Sequence, residues 1–273
     1  MIYIIITALV YGEKMKIDLH NHTTLCNHAE GTVNDYVEKA IACGIDVFGF
    51  SDHAPMDFDP KYRMNFEEMA LYRERVMNAK KKYADKIEVL FGYEVDYLPG
   101  HMDERILNAD VDYLIGSVHF INKWGFDNPE FIGRYQNEDI DLVWQQYFDL
   151  IEAMAKGGLF DVVGHIDLIK VFKFMPEKDI LELAMPALKA IKEADMVLEI
   201  NAAGYRKPCA EPYPSAEILQ AAFALGIPIT FSSDAHSPEH VGLFRNEIET
   251  IARTVGYTEC ASYKNRKRTM YPF

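Results

Sequence analysis

Lys16-Ile17-Asp18-Leu19-His20-Asn21-His22 opens the readable part of this chain: a short strand-like run, 16–19, that ends in two histidines one residue apart. Alternate side chains of an extended strand point the same way, so His20 and His22 share one face. The same phrase recurs downstream. The run 46–50 leads to His53, 87–93 to Glu94, 113–118 to His119, 161–164 to His165, and 228–231 to Asp234 and His236. With 196–200 these make seven short runs, apolar throughout, as parallel strands covered on both faces require.

Helical patterns fill the intervals. Thr32 is placed to cap a helix through Val33, Val37, Ala40 and Ile41 that stops at Gly44. Asn65 with Glu68 opens a helix to about Tyr83. Further helices are predicted over 138–156, over 178–194 with a kink at Pro186, and over 215–225 ahead of Gly226. Strands alternating with helices predict one α/β barrel, and catalytic residues of such a barrel sit where the strand C-termini converge. The histidines fall at those ends.

No Pro/Gly/Ser-rich linker divides the chain, so 15–263 is expected to be a single barrel domain. Residues 1–14 are expected to be an N-terminal extension, with Met15 as the natural start. Their apolar stretch is shorter than the ~20 residues of a membrane span and lacks the basic start of a signal peptide. Residues 264–273, with Lys264-Asn265-Arg266-Lys267-Arg268, are expected to be a solvated basic tail.

Composition narrows the partners. Of 273 residues, 28 are Lys or Arg and 42 are Asp or Glu, a formal net charge of −14. That balance disfavours nucleic acid and anionic membranes, yet does not bar a small phosphorylated metabolite, whose binding would need cations to supply local positive charge. Cys26, Cys43, Cys209 and Cys260 are scattered and form no CxxC pair, which points away from disulfides and toward a reduced cytoplasm. Imidazoles and carboxylates gathered at one barrel mouth are the usual ligands of Zn²⁺, Mn²⁺ or Fe²⁺. A buried set of this size without a cation would leave its polar groups short of partners.

Together Asp18-Leu19-His20-Asn21-His22-Thr23, Phe50-Ser51-Asp52-His53, Gly92-Tyr93-Glu94, Gly116-Ser117-Val118-His119, Gly164-His165-Ile166-Asp167 and Ser233-Asp234-Ala235-His236 resemble, in order, the motifs of the polymerase and histidinol phosphatase (PHP) family. The resemblance implies a distorted seven-stranded (β/α) barrel and three divalent transition metal ions, Zn, Mn or Fe or a mixture. By position it implies His20, His22, Glu94 and Asp234 around one ion, and Glu94 as a bridge to a second with His119 and His165. It puts His28, His53 and His236 around a third. His101 and His240 are then non-ligands.

Within the family the chain looks most like the histidinol-phosphate phosphatases, around Trp124-Gly125-Phe126-Asp127 and Gly204-Tyr205-Arg206-Lys207. This implies hydrolysis of L-histidinol phosphate, a step of histidine biosynthesis. Glu94, Asp234 and Arg206 are the expected catalytic residues. Arg206 is the expected phosphate contact because its planar fork matches phosphate geometry, with Lys207 and Lys170 as further candidates. Trp124, Asp127, Glu199 and Tyr205 are expected to meet the histidinol end. Asp18, Asp52 and Asp167 either hold imidazole N–H groups or cap strand ends. The rival readings are a PHP phosphoesterase for a nucleotide, phosphotyrosine or DNA end, a non-catalytic scaffold with eroded ligands, and an amidohydrolase barrel. The last would want a metal-bridging lysine at a strand end, and none is found.

Overall fold

The computed structural model describes residues 14–273. All but residue 14 of the expected N-terminal extension lies outside the described residues. Seven strands form one parallel sheet: β1 (Ile17–Asp18), β2 (Val47–His53), β3 (Glu88–Asp96), β4 (Tyr113–Ser117), β7 (Val162–Val163), β8 (Val197–Asn201) and β9 (Ile229–Ser232), paired in that order. Between β4 and β7 lies a small hairpin, β5 (Phe120–Ile121) with β6 (Trp124–Gly125). The last strand returns to the first. Leu19 N donates to Phe231 O at 3.1 Å, and Asn21 pairs in parallel with Ala235. The sheet is therefore a nearly closed seven-stranded barrel, as expected.

The barrel interior is packed, not hollow. Tyr113, fully buried, sends its phenol across to within 2.5 Å of Leu19 O and 3.2 Å of Phe50 O. Glycine is needed where the ring passes. A Cβ on Gly49 would lie 2.2 Å from the phenol oxygen, and one on Gly92 would lie 2.9 Å from the ring carbon bearing it. Such density beneath the mouth fixes the strand ends, because close-packed interiors leave side chains no slack.

The helices follow their sequence signals. α1 (Val33–Ala42) carries the Thr32–Asp35 capping box. The Asn65–Glu68 box opens a 3-10 turn, Phe66–Glu68, ahead of α2 (Met69–Lys82). After the short α3 (Glu104–Leu107) come α4 (Ile140–Gly157), capped by Asp139, and α5 (Ile180–Glu193), capped by Asp179 with Pro186 inside. α6 (Ala216–Ala224) completes the predicted set. α7 (Arg245–Val255) was not expected: it is charge-rich, but Ile248 and Ala252 are buried and Ile251 and Val255 pack against the core beside them.

The C-terminus differs from expectation. Residues 264–273 are not a solvated tail. β10 (Glu259–Lys264) and β11 (Lys267–Pro272) form an antiparallel hairpin, Met15 N donates to Pro272 O, and Phe273 is buried. Two of the basic residues pair with distant acids: Arg268 Nη2 donates to both Asp195 carboxylate oxygens at 2.9 and 3.0 Å, and Arg266 pairs with Asp161. Partners so far away in sequence are invisible to a local charge count. Among the described residues no helix is long and apolar enough to cross a membrane.

Candidate metal centre

The carboxyl ends of the strands bring all nine expected ligand residues together. Glu94, near the end of β3 and 1% exposed, stands at the centre. Its Oε2 lies 3.2 Å from His20 Nε2, 3.7 Å from His22 Nε2 and 2.9 Å from His53 Nδ1. Its Oε1 lies 2.9 Å from His165 Nε2 and 3.6 Å from His119 Nε2. Asp234 Oδ1 lies 3.2 Å from His22 Nε2 and 4.0 Å from His20 Nε2. His28 reaches in from the loop after β1, its ring 5.3 Å from that of His53 and 4.7 Å from that of His236.

Five sets among the described residues have donor atoms within 4.8 Å of one another, among them His20, His22 and Asp234; Glu94, His119 and His165; His22, His53 and His236; and His22, Cys26 and Asp52. The first holds three of the four residues expected there, and the second repeats the expected grouping. In the third, His22 stands beside His53 and His236, while the fifth set joins His28 and His236 with Cys26. Cys26 had no place in the sequence reading. It is buried, with its thiol 3.1 Å from Thr23 O.

The cluster is not satisfied by its own hydrogen bonds. His20 Nε2, both ring nitrogens of His22, Glu94 Oε2, His165 Nδ1 and Asp234 Oδ1 are buried with no hydrogen-bond partner among the described residues. Each such group costs about 1–3 kcal/mol if left unpaired. Concentrating six of them in one place is what a set of cation ligands looks like, and the imidazole–carboxylate donors suit a borderline divalent ion.

A second layer aims the rings. His20 Nδ1 donates to Glu199 Oε1 at 2.6 Å, and His119 Nδ1 to Asp96 Oδ1 at 2.7 Å, so each ring turns Nε2 toward Glu94. Asp52 Oδ1 lies 3.4 Å from His22 Nδ1. Asp18 and Asp167 do not hold imidazoles. Asp18 accepts from Ser233 N and Asn21 Nδ2, and Asp167 from Ser215 N and Lys170.

Charge reinforces the arrangement. Burial opposes ionisation of Glu94, but His20, His53 and His119 outweigh it and hold the carboxyl well below the usual range. Burial likewise works against the charge on Asp234, and His20 and His22 more than offset it. Burial pushes His53 down to about 4, leaving a neutral ring, while Asp96 and Glu94 overcome burial and lift His119 to about 10. Asp234 also sits at φ 48°, in the left-handed region that aspartate and asparagine adopt more readily than most residues. Arg206 Nη2 secures that turn by donating to Ser233 O at 2.9 Å and Asp234 O at 2.8 Å.

Above the cluster lies a cavity of about 540 Å³. Arg206, Asp127, Lys207 and His240 line it, as do Arg63 and Tyr213. The other expected substrate residues are elsewhere. Glu199 is fully buried beneath His20, its oxygens taken by His20, Ser232, Asn201 and His165 N, so it orients a ligand and does not meet substrate. Trp124 is buried against Tyr135 beneath Arg134, and Tyr205 packs on Phe244. Neither lines the cavity. Both reflect the apolar pull of an aromatic ring, which finds packing more readily than a ligand. Lys170 is also buried and off the cavity.

Asp96 and Arg63 were missed, and His240, read as a non-ligand, lines the cavity and joins no ligand set. Asp96 had a signal: it lies two residues past Glu94 on the same strand and so shares its face. Arg63, whose Nη1 donates to Asp96 Oδ2 at 2.6 Å, comes from a loop with no such signal.

A parallel barrel with an imidazole–carboxylate cluster at its carboxyl mouth defines a metal-centre barrel enzyme. Comparison with known proteins agrees. Residues 18–203 match the PHP domain and residues 216–256 the PHP-associated region. The chain belongs to the PHP family. It is 38% identical over 256 residues to a probable histidinol-phosphatase of Deinococcus radiodurans, covering 92% of this chain and 97% of that one. It is 31% identical over 259 residues to the histidinol-phosphatase of Bacillus subtilis, covering 83% and 96%. The fold matches a histidinol phosphate phosphatase of Lactococcus lactis, solved with zinc, L-histidinol and phosphate. That likeness has a TM-score of 0.77 at 22% identity and covers 93% of this chain and 98% of that one.

Proposed function

We propose that this chain is a metal-dependent phosphomonoesterase that hydrolyses L-histidinol phosphate to L-histidinol and inorganic phosphate. The observation that carries the reading is the group of buried, unpartnered ligand atoms gathered around Glu94 at the barrel mouth. The histidinol-phosphatase relatives at 38% and 31% identity supply the substrate. His20, His22, Glu94 and Asp234 would hold one ion, Glu94, His119 and His165 a second, and His28, His53 and His236 a third. Divalent ions of this kind, zinc, manganese or iron, lower the pKa of water and offset charge on phosphate oxygens.

The chain's own residues do the rest. Glu94 spends its single charge between two ligand groups, and Asp234 holds the opposite side. Glu199 and Asp96 fix the His20 and His119 rings so that no reorientation is needed during turnover. Arg206, on the cavity wall and braced by two carbonyls, is placed to bind the phosphate. Lys207 adds a cation on the same wall. Asp127, whose carboxyl is pushed above its ordinary range by burial, is the one acidic group of the expected substrate set that lines the cavity, and its carboxylate would face the ammonium end of histidinol. Residues 15–263, together with the hairpin that continues to 273, are read as one functional domain, acting in the cytoplasm on a small metabolite and not on nucleic acid or membrane.

The test is a metal analysis joined to a panel of phosphate monoesters. About three ions per chain are expected. Histidinol phosphate should show the highest kcat/KM, ahead of mononucleotides, phosphotyrosine and aryl phosphates. Full activity in metal-free protein would overturn the metal reading. A nucleotide preferred by an order of magnitude would overturn the substrate and leave the phosphoesterase standing.

A further inference from the structure

Lys170 is 2% exposed, and a buried ammonium demands a reason. It lies in the 3-10 turn Leu168–Lys170, just after the strand end that carries His165. Its Nζ is 2.8 Å from Asp167 Oδ2, 3.0 Å from Glu211 Oε1 and 2.8 Å from Pro212 O, and it sits 5.3 Å from the centre of the Tyr213 ring. Asp167 Oδ2 also accepts from Ser215 N at 2.8 Å. The ammonium thus ties residues 211–215 to the base of the β7 loop through two contacts, to the Glu211 carboxylate and the Pro212 carbonyl, and Asp167 adds a third at Ser215.

Segment 211–215 in turn supports the turn that carries Arg206. Tyr213 and Asn201 exchange both backbone hydrogen bonds, at 2.7 and 3.0 Å, beside the 3-10 turn Ala202–Arg206. Gly204 packs so closely on Glu211 O that a Cβ there would lie 2.0 Å from it. Cys209 Sγ bridges the two pieces, 3.3 Å from Gly204 O. A shift of 211–215 therefore has no room to occur without moving residues 202–206.

We infer that Lys170 is a positioning residue for the phosphate site: by locking 211–215 in place it holds the Ala202–Arg206 turn, and hence the Arg206 guanidinium, at the cavity wall. This rests on the phosphatase reading, in which Arg206 binds the phosphate. Lys170 itself touches neither substrate nor any of the nine ligand side chains.

The experiment is a double-mutant cycle in the full-length, metal-loaded protein, with Lys170→Met, Arg206→Ala and the pair. KM and kcat are read with histidinol phosphate, and Kd with inorganic phosphate by calorimetry. Lys170→Met should raise KM and the phosphate Kd about tenfold, the order expected on losing one charge-assisted hydrogen bond at a distance. The kcat and the metal content should stay within about twofold. In the Arg206→Ala background the same change should add no more than about twofold, since a residue that acts through Arg206 has nothing left to act on. Effects that multiply independently, or a KM and Kd that do not move, would overturn the inference. So would loss of metal from Lys170→Met.

Should Lys170→Met fail to fold, Glu211→Gln serves instead. It weakens one contact from the half-exposed side and should raise the phosphate Kd in the same non-additive way. If the wild type hydrolyses no monoester, the phosphatase reading fails on its own account, and the phosphate Kd cycle still decides whether Lys170 acts through Arg206.

Discussion

Glu94 and Lys207 border the same cavity, yet they are held by different means. Glu94 is paired in register with His53 on one neighbouring strand and Ile115 on the other, and is 1% exposed. Lys207 follows a 3-10 turn, is exposed, and is fixed by two local backbone bonds, from its N–H to Gly204 O at 3.1 Å and from Ala210 N–H to its carbonyl at 3.0 Å. The floor of the site is built on strands, whose direction and spacing come with the barrel. The wall is built on loops, whose shape depends on one another. Changes to the floor should therefore abolish function, and changes to the wall should grade it.

The largest effect is expected at the floor. Glu94→Gln keeps the volume but removes the charge shared between two ligand groups. Outer partners of metal ligands are typically worth 10–100-fold; this change at a central ligand should cost more than about 100-fold in kcat, with metal lost on dialysis. Chelation of the wild type should abolish turnover, and Zn²⁺, Mn²⁺ or Fe²⁺ should restore it. Normal turnover and normal metal content in Glu94→Gln would erase the distinction between floor and wall.

Next comes the junction of the two. Arg206→Ala removes a guanidinium that lines the cavity and also braces the Asp234 turn. All phosphate esters should lose kcat/KM together, by about 10–100-fold, because the group lost contacts what they share. A loss confined to histidinol phosphate would show that Arg206 reads the far end of the substrate.

Asp127→Asn tests the wall alone. A carboxylate facing an ammonium contributes about 1.5–3 kcal/mol when the pair is desolvated, so histidinol phosphate should lose roughly tenfold or more in kcat/KM. An aryl phosphate, which has no ammonium, should change by less than about twofold. Equal losses on both substrates would place Asp127 in the chemistry common to all esters.

The same division explains what the sequence revealed. Residues 16–22 announce a strand and its two ligands in one phrase, and Glu94, His119, His165 and Asp234 each close an apolar run, so strand and ligand could be read together. The barrel's order followed from the alternation of strands and helices. Trp124, Glu199 and Tyr205 misled because residue type near a strand end does not say which way a side chain points. Glu199, on β8, aims at His20, 179 positions away in sequence. The terminal basic run misled for a related reason: Asp161 and Asp195 pair with two of its residues from across the fold. Helix α7 carried a signal as well: Ile248, Ile251, Ala252 and Val255 recur at helical spacing among charged residues, a stripe that the sequence reading did not include.

The smallest effect is expected where the wall meets solvent. Lys61 Nζ and Tyr62 Oη both reach Glu130 Oε1, at 2.7 and 3.1 Å, and so clasp the loop after β2 to the 3-10 segment Pro129–Asn137 across the cavity rim. The clasp looks important because Tyr62 and Phe131, one on each side, line the cavity. Its setting argues otherwise. Lys61 and Glu130 are 61% and 55% exposed, water competes for both, and salt screens what remains. Beneath it the same loop is anchored by a buried contact, Arg63 Nη1 to Asp96 Oδ2 at 2.6 Å, which solvent does not reach. Glu130→Gln should therefore leave kcat unchanged and shift KM by less than about twofold, with no further change at 1 M salt, while the melting temperature stays where it was. A KM that rises severalfold at low salt would show that the exposed clasp, and not the buried Arg63–Asp96 pair, sets the width of the cavity, and that the wall is held from its outside.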